Sequence, residues 1–143
     1  MFQLDPRLNK DCIIVGTFEL SLLLLMNDAN YPWFILVPQK HDVSEIFQLG
    51  DEQQQQLTRE SSQLSRALAT TFNSDKINIA ALGNIVKQLH IHHVVRYQDD
   101  PSWPAPIWGR HRAHPYTNEE QALVIRQLVN ALGKEFTLAN SSQ

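Results

Sequence analysis

Three short apolar runs follow one another early in the chain: CIIVGTFEL from Cys12, LSLLLLM from Leu20 and WFILVP from Trp33. Each is too short for a buried helix, and turn formers separate them, NDANYP above all. The pattern therefore predicts three strands joined as an antiparallel meander. A loop with one helical turn at 44–49 should follow. From Asp51 the period changes: Leu57, Ser61, Leu64 and Leu68 recur at helical spacing, and Asp51 with Gln54 has the form of a capping box, which predicts a helix ending near Phe72. Strand patterning returns in KINIAAL at 76–82 and QLHIHHVVRY at 88–97, around a short GNIV connection. The segment DDPSWPAPIWG, at 99–109, is expected to be a rigid irregular loop because its prolines have fixed φ and lack N–H groups. A second helix over about 118–133 starts with a Thr117/Glu120 capping box, presents Ile125, Leu128, Val129 and Leu132 inward, and stops at Gly133. A loose tail is expected at 137–143. The sum is an α+β fold, a largely antiparallel five-stranded sheet with two main helices.

Composition limits the classes that remain. With 143 residues, 43% hydrophobic and 19% charged, the chain has the size and apolar content of one compact domain, 1–143, with a core over about 12–97. The formal net charge of -3 gives no general attraction to long nucleic acids or anionic lipid. The longest apolar run, LSLLLLM, falls far short of the roughly 20 residues a membrane helix needs, and MFQLDPRLNKDC mixes charges where a signal peptide would be apolar. Cys12 is the only cysteine, so neither an intramolecular disulfide nor a cysteine metal cage can form. A soluble, cytoplasmic protein is expected.

The stretch KQLHIHHVVRY places three histidines within four positions of an otherwise buried-looking strand. Because strand side chains alternate, Gln88, His90 and His92 share one face while Leu89, Ile91, His93 and Val95 share the other. If the second set packs on the long helix, the first set looks onto a polar site and His93 is structural. Two imidazoles on one face can divide labour, one attacking or accepting a proton while the other holds an anion. They are also half of a common metal site, for which His41, His111, His114 or a distant carboxylate would have to supply a third ligand. His111 and His114 lie with Arg110 and Arg112 in GRHRAHPY, which reads as a solvated loop or a basic cluster closing on a phosphate.

With FILVPQKH at 34–41 and GNIVKQLHIHHVV at 83–95, the order of elements resembles the histidine triad (HIT) nucleotide hydrolases and transferases, over about residues 12–97. The WPAPIWG loop resembles that of a bacterial branch. Where the family carries His-x-His-x-His, this chain has Gln88-x-His90-x-His92. The resemblance implies a homodimer that acts at the α-phosphate of a small purine nucleotide conjugate: a nucleoside phosphoramidate, an acyl-adenylate or a dinucleoside polyphosphate. It implies His90 as the nucleophile that forms a nucleotidyl-histidine, its other ring nitrogen held by a main-chain carbonyl, and His92 as hydrogen-bond donor to phosphate or leaving group. Gly83 and Asn84 would contact phosphate, Asn27 the ribose, and Gln88 would stand near His90 or substrate. Trp33 takes the place of a further histidine and reads as a core or rim aromatic. No metal or other cofactor is needed for the chemistry. A nucleotide-binding module with little turnover and a metal protein built on His90 and His92 are the alternatives.

Overall fold

The computed structural model describes residues 1–139. The three apolar runs become β1 (Cys12–Thr17), β2 (Ser21–Met26) and β3 (Trp33–Pro38), paired antiparallel with Ile14 opposite Leu24 and Leu24 opposite Ile35. After the long helix come β4 (Lys76–Ala80) and β5 (Ile91–Arg96), and β5 inserts beside β3.

Among the described residues the sheet has six strands, not the five expected. Its order is β4-β5-β3-β2-β1-β6, with β6 the two-residue strand Thr137–Leu138. The sequence predicts a loose tail here, but these residues pair with Thr17 and Gly16 of β1, and Ala139 N–H donates to Val15 O. Gly16 permits this approach: a Cβ there would stand 2.2 Å from the Thr137 carbonyl oxygen. The rest of the expected tail, 140–143, lies outside the described residues.

A helix absent from the sequence expectations, α1 (Pro6–Asp11), precedes β1. Asp5 caps it by accepting the Arg7 N–H at 2.8 Å, and Pro6 takes the first helical position, where its missing N–H costs nothing. The long helix α2 (Asp51–Phe72) is capped one residue earlier than expected, with Gly50 N–H donating to Gln53 Oε1, and ends at left-handed Asn73. The final helix α3 (Asn118–Val129) starts at the expected Thr117/Glu120 box but stops short of Gly133.

The sheet buries both faces. Leu23, Leu25, Phe34, Leu36, Ile91 and Val95 pack with Leu57, Leu64 and Leu68 of α2 and Leu128 of α3. On the opposite face Leu24, Ile35 and Val37 pack with Leu8 of α1. The buried Glu60 of α2 accepts Leu20 N–H at 2.7 Å and Ser21 N–H at 3.1 Å, so a satisfied carboxylate ties the helix to the β1–β2 turn. The candidate site lies on the α1 side of the sheet.

Candidate functional site

The chain enters β5 through Gln88, Leu89 and His90. Leu89 is held by its N–H bond to Val43 O, and its side chain joins the core under α2. His90 therefore emerges on the other face, one residue before the strand begins, and His92 follows it there. Their ring centroids are 4.9 Å apart, with an interplanar angle of 72°.

Each imidazole has one nitrogen committed, which fixes its neutral tautomer. His90 Nδ1 lies 2.7 Å from Gln88 O. A carbonyl can only accept, so Nδ1 carries the proton and Nε2 keeps its lone pair. At His92 the direction is reversed: Trp33 Nε1–H donates to Nδ1 at 3.0 Å, so the neutral ring carries its proton on Nε2. One histidine offers a lone pair and its neighbour an N–H. His93, on the far face, donates from Nδ1 to Ile91 O at 3.0 Å, and its Nε2 lies 2.7 Å from Ser61 Oγ.

Electrostatics keep His92 neutral. Burial, and then the repulsion it would meet from protonated His90 and His93, pull its pKa down to about 3 from 6.5. His93 falls to about 4, because burial outweighs the favourable bond to the Ile91 carbonyl. The unfolded chain binds these two protons near pH 6.5 and the folded chain does not. Their contribution to stability is thus complete above pH 6.5 and is lost as pH falls toward the folded values. Between pH 7 and pH 5 the loss is on the order of 2 kcal/mol for each. The midpoint of urea unfolding should fall steeply over that interval and less steeply in His93→Gln. A midpoint that does not move between pH 7 and 5 would contradict the buried neutral pair.

Both histidines line a cavity of about 360 Å³. Its other walls come from Arg7, Leu8 and Asp11 of α1, Met26 at the end of β2, the segment 82–86, and Trp108 with Gly109 from the proline loop. Gly83 and Asn84 are both on the wall, and Gly83 has φ +76, a left-handed conformation that a side chain would strain. Trp108 packs edge-on against His92, with ring centroids 5.3 Å apart, and against Trp33 at 6.2 Å. Trp33 is therefore a partner of His92 and not only a rim aromatic.

Two expected site residues are placed elsewhere. The Gln88 side chain is outside the cavity: its Oε1 accepts Asp5 N–H at 2.8 Å and its Nε2 donates to Gln3 O at 2.9 Å. Asn27 follows the wall residue Met26, but its Oδ1 is taken by Tyr116 N–H at 2.9 Å. His41 lines a separate crevice with Lys87, and His111 Nε2 lies 3.1 Å from Ser102 Oγ. Arg110, Arg112 and His114 are exposed. None of these histidines stands on the cavity wall with His90 and His92, and among the described residues no group of three His, Cys, Asp or Glu side chains is arranged to hold a metal ion. Arg7, Asp11, Leu8 and the Trp33–His92 bond were missed from sequence. The Asp5-Pro6 helix start was the one local signal for the first three.

The model of the HIT domain family matches residues 7–99. The chain belongs to the HIT family. Its fold matches crystal structures of histidine triad proteins at high coverage. The HIT protein of Marinobacter aquaeolei is 52% identical, with 92% of this chain and 96% of that one aligned and a TM-score of 0.91. That of Sinorhizobium meliloti is 43% identical, covering 92% and 98%, with a TM-score of 0.91. That of Bradyrhizobium japonicum is 42% identical, covering 92% and 98%, with a TM-score of 0.90. No curated protein sequence matches. Membership in the HIT family supports a nucleotide-binding, hydrolase-type function. No helix among the described residues of this HIT protein is long and apolar enough to cross a membrane.

Proposed function

We propose that the protein hydrolyses or transfers small purine nucleotide conjugates at the α-phosphate through a nucleotidyl-histidine on His90. The observation that carries this reading is the His90 ring itself, anchored through Nδ1 to the Gln88 carbonyl with its Nε2 lone pair left for a cavity wall. In the first step Nε2 attacks phosphorus and the bond to the leaving group breaks with its electron pair. The leaving group takes a proton from solvent. The positive charge that develops on the His90 ring is stabilised by the Gln88 carbonyl at Nδ1. Water then displaces His90 from phosphorus, releasing the nucleoside monophosphate and restoring the lone pair.

His92 is a donor in this scheme and not an acid. Loss of its Nε2 proton would leave an imidazolate, whereas a hydrogen bond from Nε2–H to a non-bridging phosphate oxygen strengthens as charge builds there. Gly83 brings main chain close to phosphate and Asn84 offers an amide beside it. Met26, the last residue of β2 and part of the cavity wall, is where a ribose would lie.

Turnover of an adenosine phosphoramidate by chelator-treated protein tests the reading. Release of adenosine monophosphate without added metal supports it, and a requirement for zinc would favour the metal alternative. Binding without turnover would favour the binding-module alternative. We further propose a homodimer, because β4 is an edge strand with an exposed Ile79, and pairing would cover its free backbone groups. Light scattering at micromolar concentration should give about twice 16.4 kDa; a monomer would remove this interface.

A further inference from the structure

The cavity wall carries one cation, Arg7, and one anion, Asp11, beside the two histidines. His92 is buried and accepts a hydrogen bond at Nδ1, and His90 must be neutral to attack, so neither ring supplies a standing positive charge to an anionic substrate. Among the described wall residues the one Lys or Arg is Arg7. It comes from α1, outside the His-x-His strand and its glycine loop. Its guanidinium is not consumed by structure: the Nε of Arg7 lies 3.9 Å from Asp11 Oδ2, and the two side chains are 61% and 47% exposed. An ion pair that open to water is weak and exchangeable. A phosphate entering the cavity offers the guanidinium a charge-assisted, bidentate pair of acceptor oxygens that Asp11 at this distance does not.

Gln88 binds the segment that leads to Arg7. Both polar atoms of the Gln88 amide are spent on the segment that leads into α1, at Asp5 N–H and Gln3 O, more than eighty residues away in sequence. Asp5 is also the residue whose side chain caps α1 through Arg7 N–H. The flexible amide reaches two main-chain groups two residues apart, whereas a histidine at position 88 would hold its one donor and one acceptor at fixed ring positions. Leu8 completes the attachment by burying its side chain against Leu24, Ile35 and Val37.

We infer that the N-terminal segment is part of the active site, with Arg7 as a substrate-positioning cation that leaves Asp11 for the phosphate of the bound nucleotide, and Gln88 as the residue that docks the segment so that Arg7 reaches the cavity. This rests on the hydrolase reading above and extends it to residues outside the histidine strand. Asp11 competes for Arg7, so the two acidic and basic partners act in opposite directions on substrate affinity. The interaction is with the ground-state phosphate, so it acts on KM and leaves kcat nearly unchanged.

Steady-state hydrolysis of an adenosine phosphoramidate, with adenosine monophosphate binding measured by calorimetry, tests this. Arg7→Ala should raise KM and weaken monophosphate binding by about 10- to 100-fold, the range of one or two charge-assisted hydrogen bonds, with kcat within about threefold. Arg7→Lys should recover part of the loss, keeping the charge without the fork. Asp11→Asn should lower KM by about two- to fivefold, the scale of an exposed ion pair. Gln88→Ala should raise KM in the same direction as Arg7→Ala, and the double variant should be no worse than Arg7→Ala alone, because the second change acts through the first. Lys10→Ala, on the same helix but off the cavity wall, should leave KM within about twofold, which separates a specific contact from a general effect of charge. Wild-type turnover with an Arg7→Ala KM within twofold, or a loss confined to kcat, overturns the inference and leaves the hydrolase reading standing. A wild-type protein that neither binds the monophosphate nor turns over the phosphoramidate overturns both.

Discussion

Substituting His90 by Ala should lower kcat for an adenosine phosphoramidate by at least about 10⁴-fold while monophosphate binding stays within a few-fold, because the variant would lose the proposed attacking atom and keep most of the cavity. The expectation follows from bond directions. The Gln88 carbonyl requires a proton on Nδ1, so the neutral ring has its lone pair on Nε2 without any further base. His92 cannot take over the role, since Trp33 occupies its Nδ1 and Nε2 carries the proton. Substituting His90 by Asn should be as damaging, for an amide nitrogen is no nucleophile. A His90→Ala protein within tenfold of wild type would require another nucleophile in the cavity.

The second large effect is on stability. Arg96 is 1% exposed and makes a two-pronged pair with Asp100, Nε to Oδ2 at 2.7 Å and Nη2 to Oδ1 at 3.0 Å, while Nη1 donates to Asn78 Oδ1 at 2.8 Å. Its guanidinium also lies 5.5 Å from the Trp103 ring centroid and 5.8 Å from that of Tyr31. Asp100 in turn accepts the N–H groups of Tyr97, Ser102 and Trp103, so the pair anchors the proline loop to β5 and β4. Replacing Arg96 by Leu leaves the Asp100 carboxylate buried without its cation and should cost about 3–5 kcal/mol, a large share of the roughly 5–15 kcal/mol that holds a domain together. Chemical denaturation at pH 7 measures it. The same loop carries Trp108 onto His92, so kcat should fall in the folded fraction as well. A cost under 1 kcal/mol would mean that the loop is held by its prolines alone.

The parts of this structure that could be read from sequence are those coded by local period. The three early strands and the long helix follow from apolar runs and heptad-like spacing, and the alternation across 88–97 correctly separates the His90/His92 face from the one that packs on α2. Elements of few residues escaped. The helix α1 is six residues long with one buried side chain, Leu8, and leaves no periodic trace beyond Asp5-Pro6. The strand β6 is two residues long and depends on Gly16, whose missing Cβ matters only because Thr137 arrives from 121 residues away. The role of Gln88 was hidden for the same reason: alternation gives the face from which a side chain leaves the strand but not which distant main-chain groups it will meet. Trp33 could be placed in β3 from sequence, but its bond to His92 needs the β3–β5 pairing, which sets Ile35 opposite His92 and Trp33 opposite Val94.

The proposed covalent step on His90 can be observed directly. Wild-type protein mixed with an adenosine phosphoramidate and quenched in alkali, where a phosphorus–nitrogen bond to histidine survives, is digested and its peptides weighed. The expected product is an adenylyl group on the peptide that contains His90, located on that residue by fragmentation, lost on mild acid treatment and absent from His90→Ala. Rapid turnover with no adenylylated peptide at any quench time, or an adenylyl group on another residue, would contradict it.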